Sequence, residues 1–285
     1  MPSQEHDRPP ERLLVVVEAQ QGPGRLALRE WWNYRDLLLI LGQRDLKVRY
    51  RQTMIGIAWA ILRPAATVAV FVVLFGLLQR KPTSAGVPYA ASAITGLLTW
   101  QLFATILGDM SESLVKNQHV LTKVYFPRVL VPIAAMTVGL VDYLVALLPA
   151  ALLVLALGVR PGWAILWFPV WLFGTLLWTL ACGLIFASLN ARYRDVGHVI
   201  PFLLQIGLFI SPVVYESAAV IPDKYLTLYR LNPLAVLLDG LRWSLVGAER
   251  PEPISMCICA AIVVSVLFAA WRLFHQLDRT LVDRI

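Results

Sequence analysis

Charged residues are scarce in this sequence. Asp, Glu, Lys and Arg make up 15% of 285 residues, whereas hydrophobic residues make up 58%. This composition, with a mean hydropathy of +0.67, excludes a soluble domain, because such a domain has to cover its surface with polar groups. The apolar residues are gathered into runs of about 20 residues, the length of a membrane-spanning helix. We therefore predict an all-α integral membrane protein.

Cysteine and histidine are also rare, with three and four residues. The cysteines lie inside apolar runs, where they behave as small buried hydrophobes and build neither a disulfide framework nor a zinc site. The histidines are scattered without metal-ligand spacing, so we expect no metal. These residues are Cys182, Cys257, Cys259, His6, His119, His198 and His275.

Motifs for catalysis and nucleotide binding are missing. No G-x-x-x-x-G-K-[ST] motif is present to hold nucleotide phosphates, and no paired carboxylates indicate a membrane enzyme of glycan synthesis. The net charge of +7 does not indicate nucleic acid, because the basic residues of membrane proteins collect on the cytoplasmic face. We expect a non-catalytic chain without its own cofactor and without a removable signal peptide in its first 54 residues.

Six apolar runs predict six spans and place both termini on one side of the membrane. With the termini inside, the cytoplasmic side carries 18 Lys and Arg residues and the outer side seven, which favours cytoplasmic termini. We divide the chain into a cytoplasmic segment (1–29), an interface helix (30–54) and a membrane domain (55–285). The predicted spans are 55–79, 87–108, 129–158, 161–189, 196–215 and 254–274.

The interface helix is predicted to lie along the membrane surface. At 100° per residue its apolar side chains, such as Leu41 and Val48, fall in one arc, and nearby basic residues suit headgroup phosphates. Asp45 and Arg49 interrupt the apolar arc, and their i, i+4 spacing predicts that they pair with each other. A plain amphipathic anchor is the alternative interpretation.

A polar, basic insertion over 109–128 separates the second and third spans. It mixes Lys116, Lys123 and Arg128 with Tyr125 and Phe126, a pattern that predicts a short amphipathic helix able to insert into a groove on a soluble partner. A basic loop held by anionic headgroups is the alternative.

A second cytoplasmic insertion, residues 190–198, reads NARYRDVGH. Charge at this depth is stable only near water or in ion pairs, so the segment suits a gate or a docking edge. Simple positive-inside anchoring is the alternative.

The outer segment 216–253 is too apolar for a free loop. Its break at Asn232-Pro233 predicts two short helices that dip into the outer leaflet, which is tolerated where backbone is buried in protein or lines a cavity. A plain external loop is the alternative.

Asp142 is the one carboxylate well inside a predicted span. It must face a wet cavity, find a partner or take a proton, which makes it either a functional site or a helix-to-helix hydrogen-bonding group. The tryptophans divide between membrane-interface belts and surfaces for stacking on sugars, with the belts favoured. They are Trp100, Trp163, Trp167, Trp171 and Trp178.

Several short motifs together resemble one family. They are Arg44–Tyr50, Gly56–Pro64, Lys116–Arg128 with Val120 where the family has Leu, Arg192–Asp195, Ser211–Tyr215 and Asn232-Pro233. From about residue 28 onward the chain resembles the permease subunit of type-2 ABC exporters of polysaccharide and polyol phosphate, which export O-antigen, capsule or teichoic acid.

That resemblance implies the type-2 ABC exporter transmembrane fold, with short re-entrant outer gate helices. It implies a homodimer of this chain bound to two copies of an ATP-binding subunit, which holds the ATP and Mg. It also implies a lipid-linked glycan cargo, most simply O-antigen, and a location in the inner membrane of a bacterium. A teichoic-acid or capsule exporter, a small-molecule or drug exporter, and an ion-driven transporter based on Asp142 are the alternatives.

The resemblance also implies roles for individual residues. Coupling to the ATPase falls to Glu112, Lys116, Asn117, Leu121, Lys123, Tyr125, Phe126, Pro127 and Arg128. The cytoplasmic gate comprises Arg192, Tyr193, Arg194 and Asp195. The interface helix flanks substrate access with Trp31, Trp32, Arg44, Asp45, Arg49, Tyr50 and Arg51. The outer gate includes Tyr215, Asn232 and Pro233.

Overall fold

The structure is a computed structural model that describes residues 34–51, 86–123 and 126–281. Between these ranges it also describes residues 58, 62, 65–67, 69–70 and 73. The described residues from Asp36 onward form one compact unit. Regular structure within the described ranges is helical.

The helices are labelled in chain order, and a 3-10 turn, Trp163–Trp167, precedes α5. They are α1 Arg35–Arg51, α2 Tyr89–Lys116, α3 Gln118–Leu121, α4 Leu130–Ala156, α5 Phe168–Arg192, α6 Val196–Ile210, α7 Ser217–Val220, α8 Asp223–Tyr229, α9 Pro233–Val246 and α10 Pro253–Leu281.

Within the described ranges, four helical segments are long and apolar enough to cross a membrane. They are Tyr89–Lys116, Leu130–Ala156, Trp163–Arg192 and Pro253–Leu277. These segments confirm predicted spans two, three, four and six. Predicted span one, with its motif Gly56–Pro64, lies largely outside the described residues.

The fifth predicted span, 196–215, is shorter than predicted. Helix α6 ends at Ile210, so its 15 residues extend about 22 Å, less than the ~30 Å hydrocarbon thickness of a bilayer. The helix stops because Ser211 precedes Pro212, and a residue before proline is disfavoured in the helical region. Ser211 accordingly adopts an extended conformation, with ψ of 150°.

Helix α2 forms the centre of the fold. Of its apolar stretch, 78% is buried, against 22–39% for the other three candidate spans. Small residues such as Ala91, Ala93 and Gly96 let neighbouring helices approach it closely. It packs against α4, α5 and α9, so α2 contacts more of the fold than a peripheral helix would.

The segment 216–253, predicted to lie on the outer side, contains three described helices, α7, α8 and α9, rather than the two predicted. The break at Asn232-Pro233 is where the sequence places it: the Asn232 side chain caps α9 by accepting from the Leu234 N–H at 3.1 Å, and Pro233 occupies the first turn. Gly247 ends α9 in the left-handed region, with φ of 71°. Most of α9 is buried, so it belongs to the core.

Candidate functional site

Asp142 lies on α4 and has partners on α1, the helix predicted to lie along the membrane surface. Arg49 donates from Nη2 to Oδ2 of Asp142 at 3.1 Å, and the Tyr50 hydroxyl donates to the other carboxylate oxygen. A carboxylate in an apolar helix requires such partners. Asp142 therefore joins two helices through a charge-assisted contact.

Arg49 also contacts a second carboxylate. Its Nη1 donates to Oδ2 of Asp109 on α2 at 3.0 Å. The predicted Asp45–Arg49 pair is wrong: Asp45 instead accepts from Arg44 at 2.7 Å. The i, i+4 spacing considers α1 alone, whereas in the folded chain Asp45 pairs with its neighbour Arg44 and Arg49 contacts carboxylates on two other helices.

The apolar arc predicted for α1 is only partly buried. Leu41 is buried, and the next residue, Gly42, approaches α4 so closely that a Cβ there would lie 3.0 Å from Oγ1 of Thr137. Val48, predicted on the same arc, is 68% exposed. Trp31 and Trp32 lie outside the described residues. Leu41 and Gly42 thus mark the part of α1 that packs onto the core.

The 109–128 insertion begins inside α2 and turns at Asn117. The Asn117 amide donates to the carbonyl of Ser113 at 2.9 Å, and its oxygen accepts from Arg44 Nη2 at 2.5 Å. The four-residue α3 follows, so the predicted amphipathic helix is divided into the last turns of α2 and one separate turn. The first residue after α2 is thereby connected to α1.

Three basic residues of this insertion are exposed. We call Lys116, His119 and Lys123, all exposed, the basic face. Lys116 pairs with Glu112 at 2.6 Å on the same helix. Four other residues predicted to couple to the ATPase are half-buried: Asn117, Leu121, Pro127 and Arg128.

Phe126 differs from the basic face because its side chain is only 5% exposed. The structure places it in the core just before α4, where the carbonyl of Pro127 accepts from the N–H of Leu130 at 3.0 Å. Tyr125, predicted beside it as a coupling residue, lies outside the described residues.

The second insertion, residues 190–198, includes the end of α5 at Arg192 and the start of α6 at Val196. Tyr193, Arg194 and Asp195 are exposed, and the Arg192 guanidinium lies 5.3 Å from the centre of the Tyr193 ring. Sequence reasoning missed Asn190, which is buried and donates to the carbonyl of Ser111 on α2 at 2.9 Å. That contact places both insertions at the same end of the helices.

At the opposite end, a buried polar cluster joins α9 to its neighbours. Arg242 is fully buried and donates to the carbonyls of Ser92 at 3.3 Å and Val213 at 2.6 Å. It also contacts Asp239 at 3.3 Å. We define the outer polar cluster as Ser92, Glu216, Ser217, Asp239 and Arg242.

The carboxylates of the outer polar cluster accept from hydroxyl groups. Ser217 donates to Asp239 at 2.6 Å, and Ser92 donates to Glu216 at 2.9 Å. Burial raises the pKa of the Asp239 carboxyl, while Arg242 acts to lower it, so the ionised carboxylate depends on that arginine. The sequence analysis counted Arg242 only among the outer basic residues. The signal that could have revealed a buried pair is Asp239, three positions earlier in the same apolar helix.

Tyr215, predicted for the outer gate, lies beside Tyr229. Their hydroxyls are 2.9 Å apart, and Tyr229 donates to the carbonyl of Ile210 at 2.7 Å. Asn232 and Pro233, the other predicted gate residues, begin α9. The predicted outer gate residues thus connect α6, α8 and α9.

The tryptophans do not share one environment. Trp100 and Trp171 are buried in the core, so the prediction of belts or sugar-stacking surfaces is wrong for these two. Trp163 is 68% exposed and packs edge-on against Trp243, with 5.5 Å between the ring centres. The guanidinium of Arg250 lies 5.4 Å from the centre of the Trp243 ring. Of the five tryptophans named from the sequence, Trp163 and Trp167 have the exposure that a membrane-interface belt requires.

Residues 36–246 match the family described as ABC-2 type transporter. The chain is 31% identical over 251 residues to the O-antigen export system permease protein RfbA of Myxococcus xanthus, covering 87% of this chain and 95% of that protein. It is 27% identical to an RfbA of Klebsiella pneumoniae, over 81% and 89% of the two chains. The polysialic acid transport protein KpsM of Escherichia coli is 23% identical, over 84% and 92%.

Proposed function

The chain belongs to the ABC-2 type transporter family, and from that premise we propose that it is the channel-forming permease subunit of an ATP-driven polysaccharide exporter. The cargo that we propose is a lipid-linked O-antigen, because the relatives named for O-antigen export cover 81–87% of this chain. A capsule polysaccharide is the second candidate, supported by the similarity to KpsM.

The proposed assembly contains two copies of this chain and two copies of an ATP-binding subunit, in the inner membrane of a bacterium. ATP and Mg are bound by the partner, which supplies the free energy for transport. Both termini and the two polar insertions face the cytoplasm, in keeping with the excess of basic residues on that side.

The basic face is the observation that carries this proposal. Lys116, His119 and Lys123 are exposed at the turn that follows the most buried span, α2. A partner that pushes on this turn acts directly on the helix that contacts α4, α5 and α9. We infer an acidic surface on the ATP-binding subunit that receives these side chains.

We assign gating roles to the two ends of the helices. Arg192, Arg194 and Asp195 are exposed at the cytoplasmic end, where they suit the opening through which the chain of sugars enters. The Tyr215–Tyr229 pair lies at the outer end of α6, where it suits the exit. An ion-driven transporter is less well supported, because Asp142 is already engaged by Arg49 and Tyr50.

Charge reversal on the basic face tests the proposal. Lys123→Glu is expected to weaken binding of the ATP-binding subunit to the permease about tenfold, since like charges would face each other across the contact. Binding is measured by titrating the purified ATP-binding subunit onto the permease in nanodiscs, and export by transfer of lipid-linked O-antigen in vesicles.

Lys224→Glu is the matched control, because Lys224 is an exposed lysine at the outer end. It should leave subunit binding unchanged. Equal binding by the Lys123→Glu and wild-type proteins would remove the basic face from the contact. Transport of polysaccharide without any ATP-binding subunit would contradict the proposed class of exporter.

A further inference from the structure

Arg49 connects three helices through one side chain. Its guanidinium donates from Nη1 to Asp109 on α2 at 3.0 Å and from Nη2 to Asp142 on α4 at 3.1 Å. All three side chains are at most about one-third exposed, so water screens these contacts only partly. The surface helix α1 is thereby fixed to two membrane helices at once.

The carboxylates of Asp109 and Asp142 depend on the positive charge of Arg49. Helices α2 and α4 pack so tightly that a Cβ on Gly139 would lie 2.5 Å from Cγ1 of Ile106. Asp109 and Asp142 lie on these two packed helices, and both are within reach of the one guanidinium of Arg49. A single cation between them offsets both their repulsion and their removal from water.

A second contact shows how α1 is oriented on α2. Arg44 donates to Asn117, and Arg49 donates to Asp109, so residue numbers rise along α1 as they fall along α2. The contacts are about 7.5 Å apart along α1 and about 12 Å apart along α2. Helix α1 therefore runs antiparallel to the last two turns of α2 and contacts the 109–128 insertion at both Asp109 and Asn117.

We propose that Arg49 is a positioning residue that transmits displacement of the 109–128 insertion to α4 through the surface helix. This inference rests on the proposed function. A displacement at Asn117 moves Arg44 and hence α1, and Arg49 carries that movement to Asp142. Without Arg49, α1 keeps its contact at Asn117 and the hydrogen bond from Tyr50 to Asp142, but it loses its ion pairs with α2 and α4.

Replacement of Arg49 by lysine separates charge from geometry. The planar guanidinium presents two arms and reaches two carboxylates together, whereas a lysine ammonium is a single point charge. Arg49→Lys keeps the positive charge and is expected to hold one carboxylate at a time. If charge alone mattered, this variant would behave as the wild type.

The test uses the permease purified with its ATP-binding subunit and reconstituted into vesicles. In Arg49→Lys we expect ATP hydrolysis and subunit binding to stay within twofold of wild type, while polysaccharide exported per ATP hydrolysed falls at least fivefold. Lys47→Ala, an exposed position on the same helix, is the control and should change neither quantity.

Amide hydrogen exchange of the permease alone is a second measurement, and its outcome does not depend on the proposed function. Amides of α1 should exchange at least tenfold faster in Arg49→Lys than in the wild type or Lys47→Ala. Unchanged exchange in α1 would overturn the three-helix contact. Faster exchange with unchanged export per ATP would overturn its role in transmission.

Three further variants keep the test decisive if Arg49→Lys assembles poorly: Asp142→Asn, Arg49→Asp, and Arg49→Asp combined with Asp142→Arg. Asp142→Asn removes one carboxylate and keeps its shape, and Arg49→Asp combined with Asp142→Arg restores one ion pair with reversed polarity. The exchanged pair should recover α1 protection relative to Arg49→Asp, and no recovery would contradict the assignment. Absence of export by the wild-type complex would overturn the proposed function and the transmission role, while hydrogen exchange would still decide the contact.

Discussion

Gly96 of α2 lies directly against the guanidinium of Arg242 of α9. A Cβ at position 96 would lie 2.2 Å from Nη2 of Arg242 and 2.0 Å from the carbonyl oxygen of Val213, both closer than real Cβ contacts allow. The absence of a side chain on α2 therefore creates the space in which a fully buried arginine meets main-chain carbonyls from two other segments.

Gly96→Ala is expected to lower stability, because backbone and a buried cation must both shift. The loss should be about 1–3 kcal/mol of unfolding free energy, typical of overpacking. Denaturant titration in detergent micelles measures it. Gly108→Ala on the same helix faces open space and should be neutral or slightly stabilising. Equal stability of the two variants would contradict the close packing at Gly96.

Arg242→Met should destabilise the protein more strongly. It leaves Asp239 buried without its guanidinium partner, which costs about 3–5 kcal/mol when a buried pair is broken from one side. The double variant Arg242→Met with Asp239→Leu removes both charges and should recover about half of that loss in the same titration. A double variant as unstable as the single one would show that the arginine matters for its carbonyl contacts rather than for Asp239.

Phe126→Ala tests whether this residue is part of the core. Its burial predicts a loss of about 3–5 kcal/mol, the usual range for truncating a buried phenylalanine. Phe126→Leu keeps an apolar side chain and should lose much less. If Phe126→Ala is as stable as wild type but cannot bind the ATP-binding subunit, Phe126 is a docking residue instead.

The proposed orientation predicts opposite labelling of two exposed positions. In a protein whose three cysteines are replaced by Ala, Thr122→Cys should react with a membrane-impermeant maleimide only after the membrane of spheroplasts is permeabilised. Glu249→Cys, exposed after α9, should react before permeabilisation. The reverse pattern would place the basic face outside and exclude contact with a cytoplasmic ATPase.

Features that depend on composition and local pattern were predictable. Predicted spans two, three, four and six match helices long and apolar enough to cross a membrane, and the helix boundary at Asn232-Pro233 is correct. Proline at a first turn and asparagine at a cap act within a few residues, so their effect is visible in sequence. The predicted end of span five failed because average hydropathy runs past Ser211, where the backbone leaves the helix.

The partners of charged residues were not predictable in the same way. Asp45 and Arg49 have the spacing of a helical ion pair, yet Arg49 contacts Asp109 and Asp142. Arg242 meets the carbonyl of Ser92, 150 positions away. Such contacts depend on which helices adjoin, and the sequence period of one helix carries no information on its neighbours.

The sequence by itself determined the membrane class, the approximate spans and the two polar insertions, because hydrophobic length and charge distribution are properties of continuous segments. Tertiary structure alone decided that Arg49 joins three helices, that Phe126 is buried beside the exposed basic face, and that α2 is the central helix. The physical reason is that burial and ion pairing are set by the packing of distant segments, where the removal of water makes each unpaired charge costly.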